Sequence, residues 1–185
     1  MSTRPILPFP VKLHFMTESE SYVVRVLPGR WGEIKSDTLI KQFSMIFSSW
    51  PVIEFPDWAG VSNASDFWDG LYTDVVKPLK KRDIRFIFHL GDVSKKLSFE
   101  IDEALDIIGD YSSIGKVQLK MDSHEADSLW CKLNGCDAAT LSDARSSAAR
   151  ERYLFLFNMM SVASLLIVDG GGPSAEVIFF CEASK

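Results

Sequence analysis

Apolar and polar residues alternate at the start of the chain. Val11, Leu13 and Phe15 are interleaved with Lys12 and His14, the period-two pattern of a strand with one buried face. Residues 17–21 are polar and turn-like. Residues 22–27 then read as a second strand, so the two predict a hairpin, closed by Pro28-Gly29. The period then lengthens. Leu39, Ile40, Phe43, Ile46 and Phe47 recur at helical spacing behind Ser36 or Asp37, whose side chains can accept from the free amides of a first turn. Trp50-Pro51 ends this helix.

Residues 52–55 predict a short buried strand stopped by Pro56, and residues 57–63 a loop. A second helix, capped by Asn63 or Ser65, buries Phe67, Leu71, Val75 and Leu79 and meets Pro78 near its end. Residues 84–90, IRFIFHL, carry the strongest strand pattern of the chain. Ser94 is expected to open a third helix with Leu97, Ile101, Ala104, Leu105 and Ile108 inward, stopped by Gly109. Residues 117–121 predict a strand. A fourth helix follows, capped by Asp122 or Ser123 and ended by Asn134-Gly135, with Ala126, Leu129, Trp130 and Leu133 inward.

The resulting order, ββαβαβαβα, predicts an α/β fold: a mixed sheet with helices packed against it. Residues 1–10, with Pro5, Pro8 and Pro10, read as an extended lead-in, and residues 11–133 as the α/β domain. Residues 134–185 form a C-terminal extension. There a helix is expected from Ser142 to about Met160, then strands over 162–168 and 175–181 around Asp169-Gly170-Gly171-Gly172-Pro173, a hairpin signal. Its apolar strands need a surface, either the edge of the same sheet or a second copy. A homodimer through the C-terminal hairpin is therefore one expectation.

Composition adds bounds. Apolar residues make up 46% and charged residues 24%, enough to build a core. The formal charge of −5 argues against a broad cationic nucleic-acid surface, so no nucleic acid is expected as a partner. Cys131, Cys136 and Cys181 are too few for a secreted disulfide framework; Cys131 and Cys136 could pair or bind a metal, but no second close pair with His accompanies them, and the three read first as buried or inert reduced thiols. The first ten residues lack the apolar run of a signal peptide. The longest apolar run, residues 153–168, is interrupted by Asn158, Ser161 and Ser164 and is shorter than the roughly 20 residues of a membrane span. No transmembrane segment and a cytoplasmic location of bacterial type are expected.

Several phrases carry a family resemblance. They are VVRVLPGRW (23–31), VIEFPDWAGVS (52–62), IRFIFHLGDVSKKL (84–97), LDIIGDYSSI (105–114) and MDSHEADSLWCKL (121–133). In this order and spacing they resemble the STAS domain, the fold of the anti-sigma factor antagonists. The resemblance covers about 110 of the 185 residues. It implies a non-enzymatic protein-binding regulator of a partner-switching pathway, with an anti-sigma factor or kinase as partner. In that family an Asp-Ser-Ser-Gly phrase after the central strand opens the second helix and carries a phosphorylated Ser or Thr. Here the phrase is Ser62-Asn63-Ala64-Ser65-Asp66. An ungapped match sets the phosphoacceptor near Phe67, and a loop two residues shorter sets it at Ser65.

Ser65 is thus the first phosphoacceptor candidate and Ser62 the second; the plain alternative is a helix cap. Trp58, Asn63, Asp66 and Trp68 are the candidate partner contacts, because aromatics dominate interface hot spots. Trp31 and Phe67 are further aromatics of this kind, Phe67 being a core position by its spacing. His14, His89 and His124 are far apart in sequence and form no metal motif, so no metal and no cofactor are expected. The glycine run lacks the Lys-Ser/Thr ending of a phosphate loop. No catalytic residue stands out, and Asp66, Asp69 and Asp74 read as a solvated helix face. Two other readings remain: a STAS-like assembly subunit of a transporter or larger complex, with Ser65 only a cap, and an enzyme whose site is assembled from scattered residues.

Overall fold

The computed structural model describes residues 11–26, 29–137, 141, 147–160, 162–169 and 176–181. The elements run β1 (Val11–Met16), β2 (Ser21–Val26), α1 (Trp31–Ile34), α2 (Asp37–Ser49), β3 (Val52–Phe55), α3 (Ala64–Leu71), β4 (Arg85–Phe88), α4 (Ser98–Ser112), β5 (Lys116–Asp122), α5 (Ser123–Asn134), α6 (Ser147–Met159), β6 (Ser164–Asp169) and β7 (Glu176–Cys181). The seven strands form one mixed sheet in the order β2-β1-β3-β4-β5-β6-β7. β3, β4, β5 and β6 are parallel to one another. Antiparallel partners flank them, β1 with β2 on one side and β7 on the other.

Parallel neighbours joined in chain order by right-handed crossovers place their helices on one face of the sheet. The burial pattern agrees. On the helix side, Leu13, Phe15, Ile53, Phe55, Phe86, Phe88, Val117, Leu119, Leu165 and Ile167 are 0% exposed. The alternate residues, among them Lys12, His14, Glu54, Ile87 and Lys120, point the other way and stay partly accessible. At the centre of the core, Phe55 stacks on Phe88 at 4.5 Å, and Tyr111 meets Phe86, Phe88 and Phe55 edge-on. The Tyr111 hydroxyl donates to the Trp68 carbonyl at 2.8 Å. Burial holds that phenol well above its ordinary pKa.

Local signals explain most boundaries. The Ser36 side chain accepts from the Leu39 amide at 3.2 Å and starts α2. Asp122 accepts from the Glu125 amide while Glu125 accepts from the Asp122 amide, a capping box that starts α5. Gly135, with φ +67°, ends it.

Elsewhere the structure departs from expectation. Ser94 does not open α4. Asp92 accepts from the Ser94 amide and closes a short 3-10 turn, Val93–Lys95, and α4 begins at Ser98 with Glu100 accepting from the Leu97 amide. Nor does Gly109 stop α4, which continues to Ser112 because Ile108 and Tyr111 pay their way in buried contacts. α3 is shorter than expected and passes into one π turn, Tyr72–Val76. A short helix, α1, precedes α2, and its Trp31 is 4% exposed.

The thiols also differ from expectation: Cys131 and Cys136 form a disulfide, with Cα atoms 4.5 Å apart. The left-handed Gly135 turns the chain back so that the Cys136 amide donates to the Cys131 carbonyl at 3.1 Å, which brings the two side chains together. Cys181 is free and exposed. In the C-terminal extension β6 lies beside β5, with Leu119 opposite Leu165 and Met121 opposite Ile167. The expected lead-in over 1–10, Pro28, the first residues of the expected helix at 142–146, and the turn at 170–173 lie outside the described residues. Among the described residues no helix is long and apolar enough to cross a membrane.

Candidate functional site

The segment after β3 positions the expected site. The Trp58 amide donates to the His89 carbonyl and the Ala59 amide to the Leu90 carbonyl, which ties the loop to the end of β4. Asn63 takes the left-handed conformation, φ +61°, at the position before α3. Its side chain makes no cap, and its carbonyl accepts from the Phe67 amide at 3.0 Å. Ser65 therefore sits in the first turn of α3, half-buried, and is not the cap. Its Oγ accepts from the Trp58 indole N–H at 3.0 Å. Ser62, Asn63 and Asp66 are exposed.

The two tryptophans expected as partner anchors are core residues. Trp58 is 2% exposed and Trp68 1%. Trp68 packs against Phe55 and Phe88, since helical spacing turns it inward with Phe67 and Leu71. Trp58 is covered by Lys96, whose ammonium lies 4.7 Å from the ring centroid. Asp66 is engaged as well: its carboxylate accepts from the Trp31 amide. One helical stretch on, Asp74 accepts from the Trp31 indole N–H at 2.6 Å and pairs with Lys35 at 3.1 Å. The indole bond, chiefly, holds the Asp74 carboxyl below its ordinary pKa. Between these two acids Gly70 leaves room for the Trp31 ring, onto which a Cβ there would run.

Ser65, Asp66 and Asp69 of α3 face Asp102, Glu103, Asp106 and Asp110 of α4 across an open cleft of about 560 Å³, with Phe99 and Ile107 completing it. Among the described residues no Lys, Arg or His lines this cleft. Phe99 is 66% exposed, and nearby Leu97 is 59% exposed. Six carboxylates facing solvent in a shared concavity make a negative surface suited to a cationic partner.

A second polar cluster lies on the other face of the sheet, and sequence reasoning missed it. Glu54 on β3 is bonded to His14 Nδ1 of β1 at 3.1 Å and to His89 Nε2, just after β4, at 2.6 Å. Lys120 Nζ of β5 is 4.0 Å away. The bond from His89 is the main cause that lowers the Glu54 pKa from 4.5 to about 2; burial opposes it. Glu125, whose charge His89 also favours, is instead pushed up by burial. The Glu54 carboxylate acts as a clamp across three strands and is saturated by its neighbours. Among the described residues no group of three or more His, Cys, Asp or Glu side chains is arranged to hold a metal ion.

Compared with protein-family models, with curated proteins and with solved structures, the chain finds no match.

Proposed function

We propose that this chain is a protein-binding regulatory module of STAS type, acting without chemistry of its own, and that the cleft between α3 and α4 is its contact surface. The observation that carries the reading is the carboxylate-lined cleft beside Ser65, open to solvent and, among the described residues, without a basic side chain. Its partner is a protein presenting a cationic segment. Asn63 and Asp66 stand at the exposed rim, while Trp58 and Trp68 support the surface from below.

The same geometry bears on a phosphoswitch. A phosphate on Ser65 adds about −1.5 to −2 charges. It would enter a cleft that already holds Asp66 and Asp69, and α3 already has Asp66 in its first turn. The modification would therefore tighten a cationic partner rather than release it. The resemblance to anti-sigma factor antagonists also favours a cytoplasmic, bacterial setting, with an anti-sigma factor or kinase as the partner.

Affinity capture from native cell extract with mass spectrometry tests the proposal, run in parallel on the parent chain and on the Asp102→Lys/Asp106→Lys variant. Both positions are exposed, so the fold should hold. The expected result is a protein retained by the parent at low salt, released as salt screens the cleft, and not retained by the variant. Equal retention on both chains, or turnover of a small molecule at any site, counts against the proposal.

A further inference from the structure

Parallel sheets are ordinarily covered on both faces. Here the parallel strands β3 to β6 carry their helices on one face, and among the described residues the other face is uncovered. That face is cationic at five positions. Lys12 of β1 stands directly across from Arg25 of β2, and Arg85 of β4 directly across from Lys116 of β5. Lys120 follows on the same face of β5. Lys12, Arg25, Arg85 and Lys116 are exposed and form no ion pair among the described residues. Like charges set opposite each other in a ladder are destabilising, and nothing described within the chain offsets these two pairs. The strands place two acids on this face. Glu54 is already bonded to His14 and His89, and the Asp122 carboxylate caps α5.

Toward β7 the same face turns apolar. By the register, Lys120 of β5, Leu166 of β6 and Phe179 of β7 share one row, and Val168 and Val177 share the next. Phe179 is 54% exposed and Val177 56%. A soluble polyanion would use only the cations. An anionic lipid bilayer uses both parts, since its phosphates meet Lys and Arg while apolar side chains enter at the headgroup boundary. The formal charge of −5 does not oppose this. Asp102, Glu103, Asp106 and Asp110 are exposed on the outer side of α4. A helix is about 10–12 Å across, so these acids stand further from the sheet face than the Debye length of about 8 Å at physiological salt.

We infer that the uncovered face of the sheet docks on an anionic lipid bilayer, with Lys12, Arg25, Arg85, Lys116 and Lys120 against the phosphate headgroups and Val177 and Phe179 entering the interface beside them. The inference does not rest on the cleft between α3 and α4, which lies on the helix side and in this orientation faces away from the lipid.

Vesicle flotation with the full chain tests it, using phosphatidylcholine alone and phosphatidylcholine with about 30% phosphatidylglycerol. The parent is expected to float with the anionic vesicles at low salt, to lose most of that binding as salt rises, and to stay behind with the neutral ones. Each Lys or Arg near such a surface strengthens binding about fivefold, so Lys12→Gln/Lys116→Gln should weaken it about 25-fold. That variant also relieves both like-charge pairs, so its Tm should equal or exceed the parent's. Lys41→Gln/Lys77→Gln removes the same charge from exposed positions in the helix layer and should bind as the parent does. Val177→Ser/Phe179→Ser should weaken binding about tenfold. A parent that ignores anionic vesicles at low salt, equal binding to neutral ones, a helix-layer variant as weak as the sheet-face variant, or retention on a single-stranded oligonucleotide in place of vesicles would each overturn the inference.

Discussion

Replacing Glu54 by Gln keeps the shape and an acceptor but removes the charge that faces His14, His89 and Lys120. The native carboxyl has its pKa lowered from 4.5 to about 2. That difference corresponds to about 3 kcal/mol of preference for the ionised form in the folded chain. The cluster lies at an accessible surface, with His14 34% and Lys120 40% exposed, so screening reduces its worth to about 1–2 kcal/mol. Because the folded pKa is the lower one, this stability is fully present above pH 4.5 and is lost as pH falls toward 2. Glu54→Gln should therefore destabilise the protein by about 1–2 kcal/mol at neutral pH, a fall in Tm of roughly 2–8 °C for a chain of this size. By about pH 3 less than half of the difference should remain. Urea unfolding followed by tryptophan fluorescence at both pH values measures it. A penalty of the same size at both pH values would show that packing, and not the charge, is what Glu54 contributes.

Two further outcomes test the packing around the site. Gly70→Ala places a methyl group on the Trp31 ring, which Asp66 and Asp74 hold in place, and should cost about 1–3 kcal/mol in urea unfolding; an unchanged midpoint would mean that Trp31 moves freely. Reducing the Cys131–Cys136 bond frees only a short loop, of sequence separation 5, so loop entropy limits the loss to about 2 kcal/mol, read as a Tm difference with and without reductant. Loss of the whole cooperative transition on reduction would contradict this.

The strands and the main helices were legible because each is amphipathic over its own length. Ile84 to Leu90 alternates inward Phe86 and Phe88 with outward Arg85, Ile87 and His89, and the sheet uses that alternation directly. What failed were choices between neighbouring polar residues. Ser94 and Leu97-Ser98 both precede an apolar stripe, and the decision for the later start rests on Asp92 and Glu100 bonding locally. Trp58 and Trp68 are buried for different reasons: Trp58, in a loop, finds its partner, the Ser65 hydroxyl, only in three dimensions, while Trp68 lies on the inward face of α3 against Phe55 and Phe88. The Glu54 clamp joins residues 40 and 35 positions apart, and no local pattern reports such a contact. A signal did exist, since His14 and Glu54 fall at outward positions of strands that pair directly, and His89 continues the alternation of β4 one residue past its end.

The order of the strands has a kinetic consequence. Every pair of neighbours in the sheet except β1 with β3 is consecutive along the chain. The parallel pairs join strands separated by a whole crossover, as Gln118 with Ser164, so each is slow to close compared with a hairpin. During synthesis from the N-terminus, each emerging strand and its helix find the preceding strand already in place as a template. The sheet then grows in one direction, and its growing edge passes from β3 through β4 and β5 to β6. Until the next unit arrives, each of these edges is open to other chains, so a stall in synthesis exposes a parallel, apolar edge. The hairpin partner β7 ends that growth by reversing the strand direction.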